Sequence, residues 1–432
     1  MQISTPGHDR ETMRQLMEQL YPICRSITGS GVRRSLAIIR EQLPLVIHEV
    51  ASGTRVLDWV VPKEWNIRDA YVANARGERV IDFRKHTLHV MSYSRPIRAQ
   101  LSLNELRGHL FTLPEQPDVI PYKTNYYGEN WGFCLSERQL RSMCEGEYEV
   151  VVDATLVDGS LTYGELLLPG AEQDEILIST HICHPSLAND NLTGIAATTA
   201  LAKRLSSRAQ RRHSIRFLFV PGTIGPLTWL ARNQDKTARI KHGLVITGIG
   251  DAGALTYKKS RRGQAKIDRA AAHVLSHWHR PGTTVDFEPL GYDERQYCSP
   301  GFNLPVGRIS RTPFASYPEY HTSADNLDFV SVEQIEDALA AIEATLDILE
   351  QDAHYLNLSP YGEPQLGKRG LYREISDHPN RRRQETNLLW ALNYCDGQNS
   401  IFEIAEKAGR PFSELLAAAN KLEAARLLQK LV

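Results

Sequence analysis

The sequence predicts an α/β fold in which a mostly parallel sheet is flanked by helices, interrupted by a β-rich insertion and followed by a small helical module. Three observations carry this expectation. From position 175 onward, apolar runs of strand length alternate with stretches of helical spacing. Between 52 and 121 strand-like pieces crowd together with little helical periodicity. Beyond 383, three helical patterns follow a Pro-, Gly- and charge-rich connector. Strands alternating with helices favour a parallel sheet covered on both faces, and short β-rich runs between turn residues favour strands joined locally. A chain of 432 residues, at a prior of ~150 per domain, has room for two or three such units.

Met13, Leu16, Leu20 and Ile23 recur at three or four, and Leu36, Ile39 and Leu43 share a face after the turn Gly29-Ser30-Gly31, so a helical hairpin is expected over 11–43. The runs 55–61, 88–93 and 148–156 read as strands, punctuated by Pro, Gly and Asn. The expected organisation is a discontinuous α/β unit over 1–51 and 122–356, with the insertion at 52–121. Within that unit 175–180, 215–220 and 243–247 read as strands and 194–205, 264–277 and 332–350 as helices. After the connector at 357–383, the unit 384–432 shows helical spacing at 387–393, 400–408 and 412–428. Gly409-Arg410-Pro411 joins the last pair, a pattern similar to a winged helix. A DNA-reading second helix needs cations, whereas Lys421 and Arg426 here lie beside Glu414 and Glu423. A protein partner or intramolecular docking is expected in preference to nucleic acid.

Fifty Lys and Arg against 51 Asp and Glu leave a net charge of −1, which excludes a general polyanion-binding role. No apolar run approaches the ~20 residues of a membrane span, and the first thirty or so residues lack the apolar core of a secretory signal. Cys24, Cys134, Cys144, Cys183, Cys298 and Cys395 are widely spaced, without a CxxC, as in reduced cytoplasmic proteins. A cytoplasmic location is therefore expected.

The chemistry concentrates in Ser179-Thr180-His181-Ile182-Cys183-His184-Pro185-Ser186-Leu187-Ala188-Asn189-Asp190-Asn191-Leu192-Thr193-Gly194. A buried strand ends at His181, and Asp190 precedes a helix. Loops at the carboxyl ends of parallel strands are where open α/β sheets place ligands, and imidazole with carboxylate is a donor set that zinc accepts. The competing reading is a satisfied histidine and a helix-capping aspartate. A second polar cluster spans 291–297 and 317–326, rich in Tyr, Asp, Glu and His.

On these residues the chain resembles the zinc aminopeptidase superfamily of co-catalytic metallopeptidases, the M28-like fold. More closely it resembles the bacterial aminopeptidase-like proteins (DUF4910/DUF2172) with an inserted β domain and a C-terminal winged helix. The matches are Thr180-His181, Asn189-Asp190-Asn191 with Gly194, and Tyr320-His321-Thr322 with Asp325. The resemblance implies a zinc-aminopeptidase-like sheet and the metal ligands His181, Asp190 and His321, with Asp251 as the fourth. One departure matters. The family's paired glutamates, a general base and a metal ligand, are replaced by Gly222-Thr223. One zinc is then expected in place of a pair, and Glu294 or Glu319 is the acid available as proton acceptor, a role worth ~10²–10⁴-fold in rate. Lys258-Lys259-Ser260-Arg261-Arg262 follows Asp251. Lys258 and Arg261, with Arg295 and Tyr320, are the expected substrate contacts.

Gly248-Ile249-Gly250-Asp251-Ala252-Gly253 fits GxGxxG, but the text after it does not open a helix, which argues against dinucleotide binding. GxSxG, Walker A and HExxH sequences are absent. The expected activity is zinc-dependent hydrolysis of an amide or peptide bond in a small peptide or an amide-containing metabolite, including a glycan precursor. Homo-oligomerisation is open to such a chain. The alternative is a catalytically silent metal-binding scaffold acting through protein interactions.

Overall fold

A computed structural model describes residues 6–372 and 379–431. Expectations for 1–5, for 373–378 of the connector and for 432 lie outside the described residues. Eight strands form the main sheet: β1 Val46–Ala51, β2 Ser160–Leu168, β3 Glu175–His181, β4 Ser214–Val220, β5 Ile240–Ile246, β6 Thr256–Lys258, β7 Thr283–Val285 and β8 Val306–Ser310. Their order is β1-β2-β4-β3-β5-β8-β6-β7. The central run β4-β3-β5-β8 is parallel. The flanks mix in antiparallel pairs, with β1 on β2, β2 on β4, and β6 on β8.

β3 lies in the middle and is buried along its whole length, which explains its continuous apolar text: both faces are covered, so no polar alternation survives. The helix Thr193–Ser206 packs on this sheet through small residues. A Cβ built on Gly194 would lie 2.7 Å from the Ile246 carbonyl oxygen, so only glycine allows that close approach. The loop joining β3 to this helix is thereby drawn tightly over the carboxyl ends of β3 and β5.

The insertion builds its own four-stranded antiparallel sheet, in the order Arg79–Asp82, Glu64–Ala73, Glu147–Val157, Ile97–Ser102. Its longest pairing uses a strand from beyond position 121, so a boundary at 121 leaves out part of the sheet. The run 55–61 folds as a hairpin whose turn residue Leu57 has φ 60°. The run 88–93 is not a strand. It begins in the turn Thr87–His89, and its backbone is then satisfied by loops, with Met91 N on Gly132 O at 3.0 Å and Ser92 N on Lys123 O at 2.9 Å. The insertion has no separate core: Trp65, Val72, Phe133 and Val150 share one apolar cluster with Leu161, Leu218, Val220 and Trp229 of the main sheet region. Arg33, on the helix Ser30–Arg40, fixes the join by donating from Nη1 to Glu64 Oε1 at 2.8 Å and from Nη2 to Glu64 Oε2.

Two compact units result, Met1–Asp268 with Thr283–Ala340, and Arg269–Gly282 with Ala341–Val432. The second contains the helices Pro379–Tyr394, Ile401–Ala408 and Phe412–Ala424. Its three-stranded sheet has His354–Asn357 between Asp396–Ser400 and Leu428–Lys430. Ser400 and Glu403 form a capping box at the middle helix, and Gly409 ends it in the left-handed region, the expected signals for a short helix. The central strand comes from before the connector, so this unit reaches back beyond 384. Among the described residues, no helix is long and apolar enough to cross a membrane.

Candidate metal centre

His181 is the last residue of β3 and points its ring at the segment Ala188–Leu192, whose backbone is irregular at Asp190 and Asn191. Asp325 holds that segment in place: its Oδ1 accepts from Asn189 N at 2.6 Å, its Oδ2 from Asp190 N at 3.0 Å, and its carbonyl from Ala188 N at 2.9 Å. The Asp190 carboxylate is fully buried and turned toward imidazoles. His181 Nε2 lies 2.8 Å from Oδ1, His321 Nε2 lies 3.1 Å from Oδ2, and His184 Nδ1 lies 3.6 Å from Oδ1. The helix that follows takes no side-chain cap from this residue, since its N-cap Leu192 has no side-chain hydrogen bond. The capping alternative for Asp190 is therefore not what its oxygens do.

His181, His184 and Asp190 each offer a ligand atom, all within 4.8 Å of one another, an arrangement that could hold a metal ion. His184 Nδ1 is buried without a hydrogen-bond partner. Burial pushes the His184 imidazole down to about 3, so it is neutral at pH 7, with a free lone pair. Burial opposes the Asp190 charge, but the imidazoles around it hold its carboxyl well below the usual range. Two imidazole nitrogens and a carboxylate oxygen suit zinc among the common divalent ions. Aromatic rings wall the cluster. Tyr122 meets His184 and His321 edge-on, Tyr292 stacks on His181 with centroids 5.1 Å apart, and Tyr320 stacks on His321 at 3.9 Å.

The structure thus brings His181, Asp190, His321 and Tyr320 together, and other expected site residues lie elsewhere. Asp251 is buried in a loop network: its Oδ1 accepts from Gly253 N and Thr312 Oγ1, each at 2.7 Å, and its Oδ2 from Asn189 Nδ2 at 3.0 Å. It orients Asn189 and so shapes the Asp190 loop. Lys258 and Glu294 bury each other, with Nζ 2.9 Å from Oε1, so Lys258 is not free for the anion clamp expected of it, and Glu294 keeps only its buried Oε2 without a partner. Arg261 is exposed and donates to Asn303 Oδ1 at 3.0 Å. Glu319 contributes its carbonyl, which accepts from Thr322 N at 3.1 Å, and Arg295 keeps a buried Nε without a partner.

Two residues went unassigned from the sequence. His184 carried a signal, since His181-Ile182-Cys183-His184 puts two imidazoles three apart just past a buried strand. Asp293 carried a weaker one. A Cβ built on Gly222 would lie 3.2 Å from Asp293 Oδ1 and 3.3 Å from His181 Cβ, so the aspartate occupies the space beside position 222. Its Oδ2 is buried without a partner, and burial pushes the carboxyl up to about 7 against the opposing pull of the nearby His181.

A buried His and Asp cluster at the carboxyl end of a central parallel strand, in this sheet order, defines a protein of aminopeptidase-like fold. The solved zinc aminopeptidase of Bacillus subtilis superposes with a TM-score of 0.58 over 80% of this chain and 94% of that one, at 14% identity. An M28 peptidase precursor of Shewanella amazonensis gives 0.51 over 79% and 96%, at 12% identity. The chain belongs to the family described as "Domain of unknown function (DUF4910)", whose model matches residues 14–352, and a winged helix-turn-helix model matches 353–430. A Clostridium acetobutylicum relative called "Putative polysaccharide biosynthesis protein with aminopeptidase-like domain" is 50% identical over 414 residues, 96% of this chain and 95% of its own length. A crystal structure from that organism, described as a "putative peptidase", has a TM-score of 0.93 at 47% identity, covering 98% of each chain.

Proposed function

We propose that this chain is a zinc-dependent, aminopeptidase-like hydrolase that cleaves an amide or peptide bond in a small peptide or an amide-containing metabolite. The observation that carries the reading is the buried, unpartnered His184 Nδ1 beside Asp190 and His181. Leaving a buried polar atom unpaired costs ~1–3 kcal/mol, and a cation seated there satisfies all three donors. His181, His184 and Asp190 would hold the zinc, with His321 on the second oxygen of Asp190. Bound zinc supplies Lewis acidity, polarising a carbonyl and lowering the pKa of a water toward ~7.

The remaining work falls to the chain. Asp293 takes the role of the absent glutamate: its Oδ2 accepts the proton as water oxygen bonds to the amide carbon. The same proton passes to the leaving nitrogen as the C–N bond breaks. Asp293 is proposed ahead of Glu294 and Glu319 because it is the acid found beside Gly222 and His181, whereas Glu294 pairs through Oε1 with Lys258. Tyr122, Tyr292 and Tyr320 exclude bulk water and line the entrance. The name of the 50%-identical relative supports a substrate among polysaccharide precursors that carry amides. Free thiols at all six cysteines support a cytoplasmic setting, and the winged-helix unit is assigned to protein contacts.

The test is zinc content together with turnover. Purified wild-type protein is expected to carry stoichiometric zinc and to hydrolyse members of a panel of aminoacyl and acyl amides, with both lost in His181→Ala and His184→Ala. Protein that binds no zinc, or His184→Ala that keeps it, refutes the metal centre. Zinc without turnover of any amide favours the silent scaffold, a reading that Gly222-Thr223 supports.

A further inference from the structure

We infer that Arg308 forms the floor of a subsite for an oxyanion on the substrate, a carboxylate or phosphate held one aromatic ring away from the hydrolytic cluster. The inference rests on reading that cluster as the reaction centre. Arg308 lies on β8, paired across the sheet with Lys258 of β6. It is 3% exposed, yet both its Nε and its Nη1 lack a hydrogen-bond partner. Its ion-pair partner, Glu294 Oε1, is 3.7 Å from Nη1 and already accepts from Lys258 at 2.9 Å. Two buried cations therefore lie against one oxygen of one carboxylate, and two guanidinium donors stay unused.

The surroundings say where a partner would enter. The guanidinium carbon sits 5.6 Å from the Tyr292 ring centroid and 5.8 Å from that of Phe314. Tyr292 also stacks on His181, and Phe314 packs against Tyr320, which stacks on His321. Tyr292, Phe314 and Tyr320 are all partly exposed, so the rings stand between solvent, the imidazoles and Arg308. A guanidinium is the side chain suited to bind planar or tetrahedral oxyanions, and its strength grows where water is excluded. Lys258 and Arg261, expected to bind an anion, are held instead by Glu294 and Asn303, whereas Arg308 keeps two donors unused beside the rings of the cluster. The substrate class narrows accordingly to amides that carry a nearby carboxylate or phosphate.

The experiment uses the full chain stripped of metal, so that an anion cannot bind through zinc. Binding of N-acetylglycine, N-acetylglycinamide and inorganic phosphate is measured by calorimetry on wild type, Arg308→Lys and Arg308→Gln. Wild type is expected to prefer the acid over its amide by tenfold or more, Arg308→Lys to keep part of that preference, and Arg308→Gln to lose it. Tighter binding of phosphate than of N-acetylglycine assigns the phosphate form of the subsite. The reverse assigns the carboxylate form. Equal binding of acid and amide by wild type overturns the inference even if Arg308→Gln fails to fold, as does a preference that survives in Arg308→Gln. Zinc content of the same preparations separates the two readings: zinc bound without acid preference sinks only the subsite, and acid preference without zinc binding sinks only the hydrolase.

Discussion

Gly222 leaves a volume that a side chain there would claim, and Asp293 fills it from another loop, with Oδ1 3.2 Å from where a Cβ would stand. A carboxylate thus stands beside position 222 although that position carries none. Asp293→Asn keeps the shape and removes the proton acceptor, so kcat is expected to fall ~10²–10⁴-fold while zinc content stays constant. Asp293→Ala combined with Gly222→Glu, which puts the carboxylate back on its usual strand end, is expected to recover part of that loss. Unchanged kcat in Asp293→Asn would remove the residue from the mechanism. His181, Asp190 and His321 were legible because each sits at a motif of fixed order at the end of an apolar strand or in a Tyr-His-Thr segment. The choice between Asp293 and Glu294 was not legible. They are adjacent in sequence, and only the fold shows that Glu294 turns to Lys258 while Asp293 turns to Gly222 and His181.

At the scale of elements, strands and helices of the main sheet were readable because burial on both faces writes continuous apolar runs: 175–180 for a strand at Glu175–His181, and 194–205 for a helix at Thr193–Ser206. The run 88–93 misled because its apolar residues are buried by loops, not by a ladder, and composition does not distinguish the two. Pairing across the insertion was equally hidden, since nothing local ties Glu64–Ala73 to Glu147–Val157. The contact that fastens the insertion to the helix Ser30–Arg40 has a measurable signature in acid. Hydrogen bonds from Arg33 hold the Glu64 carboxyl down to about 2. The folded pKa is depressed, so the stabilisation is present above the unfolded value, near pH 4.3, and is lost as pH falls toward 2. Allowing for the part-exposed Arg33 side chain, the contribution is on the order of 2 kcal/mol at neutral pH. Denaturation at pH 7, 4 and 3 is expected to show a steeper acid loss in wild type than in Glu64→Gln, with the two curves converging at the acid end. Parallel curves would show that the pair adds nothing.

Across the whole molecule, the near-zero net charge conceals a strong local segregation: an acidic oxygen ringed by imidazoles at one end of the sheet, and two cations around Glu294 close by. The proposed ligands come from positions 181, 184 and 190, with 321 distant in the chain, so the unfolded chain cannot present them together. Metal should therefore bind the folded state and stabilise it by mass action, ~2.7 kcal/mol at a hundredfold excess over Kd. All four residues lie in the unit Met1–Asp268 with Thr283–Ala340, and the stabilisation should report from there. Hydrogen exchange with and without zinc is expected to slow in peptides covering 175–195 and 306–325, where Asp325 and the Asp190 loop are held in register. Peptides covering 401–424, in the winged-helix unit, are expected to exchange at the same rate in both conditions. His184→Ala should erase the difference in the first set and leave the second as it was. Uniform slowing over the whole chain, or slowing that persists in His184→Ala, would mean that the metal acts somewhere other than at the end of β3.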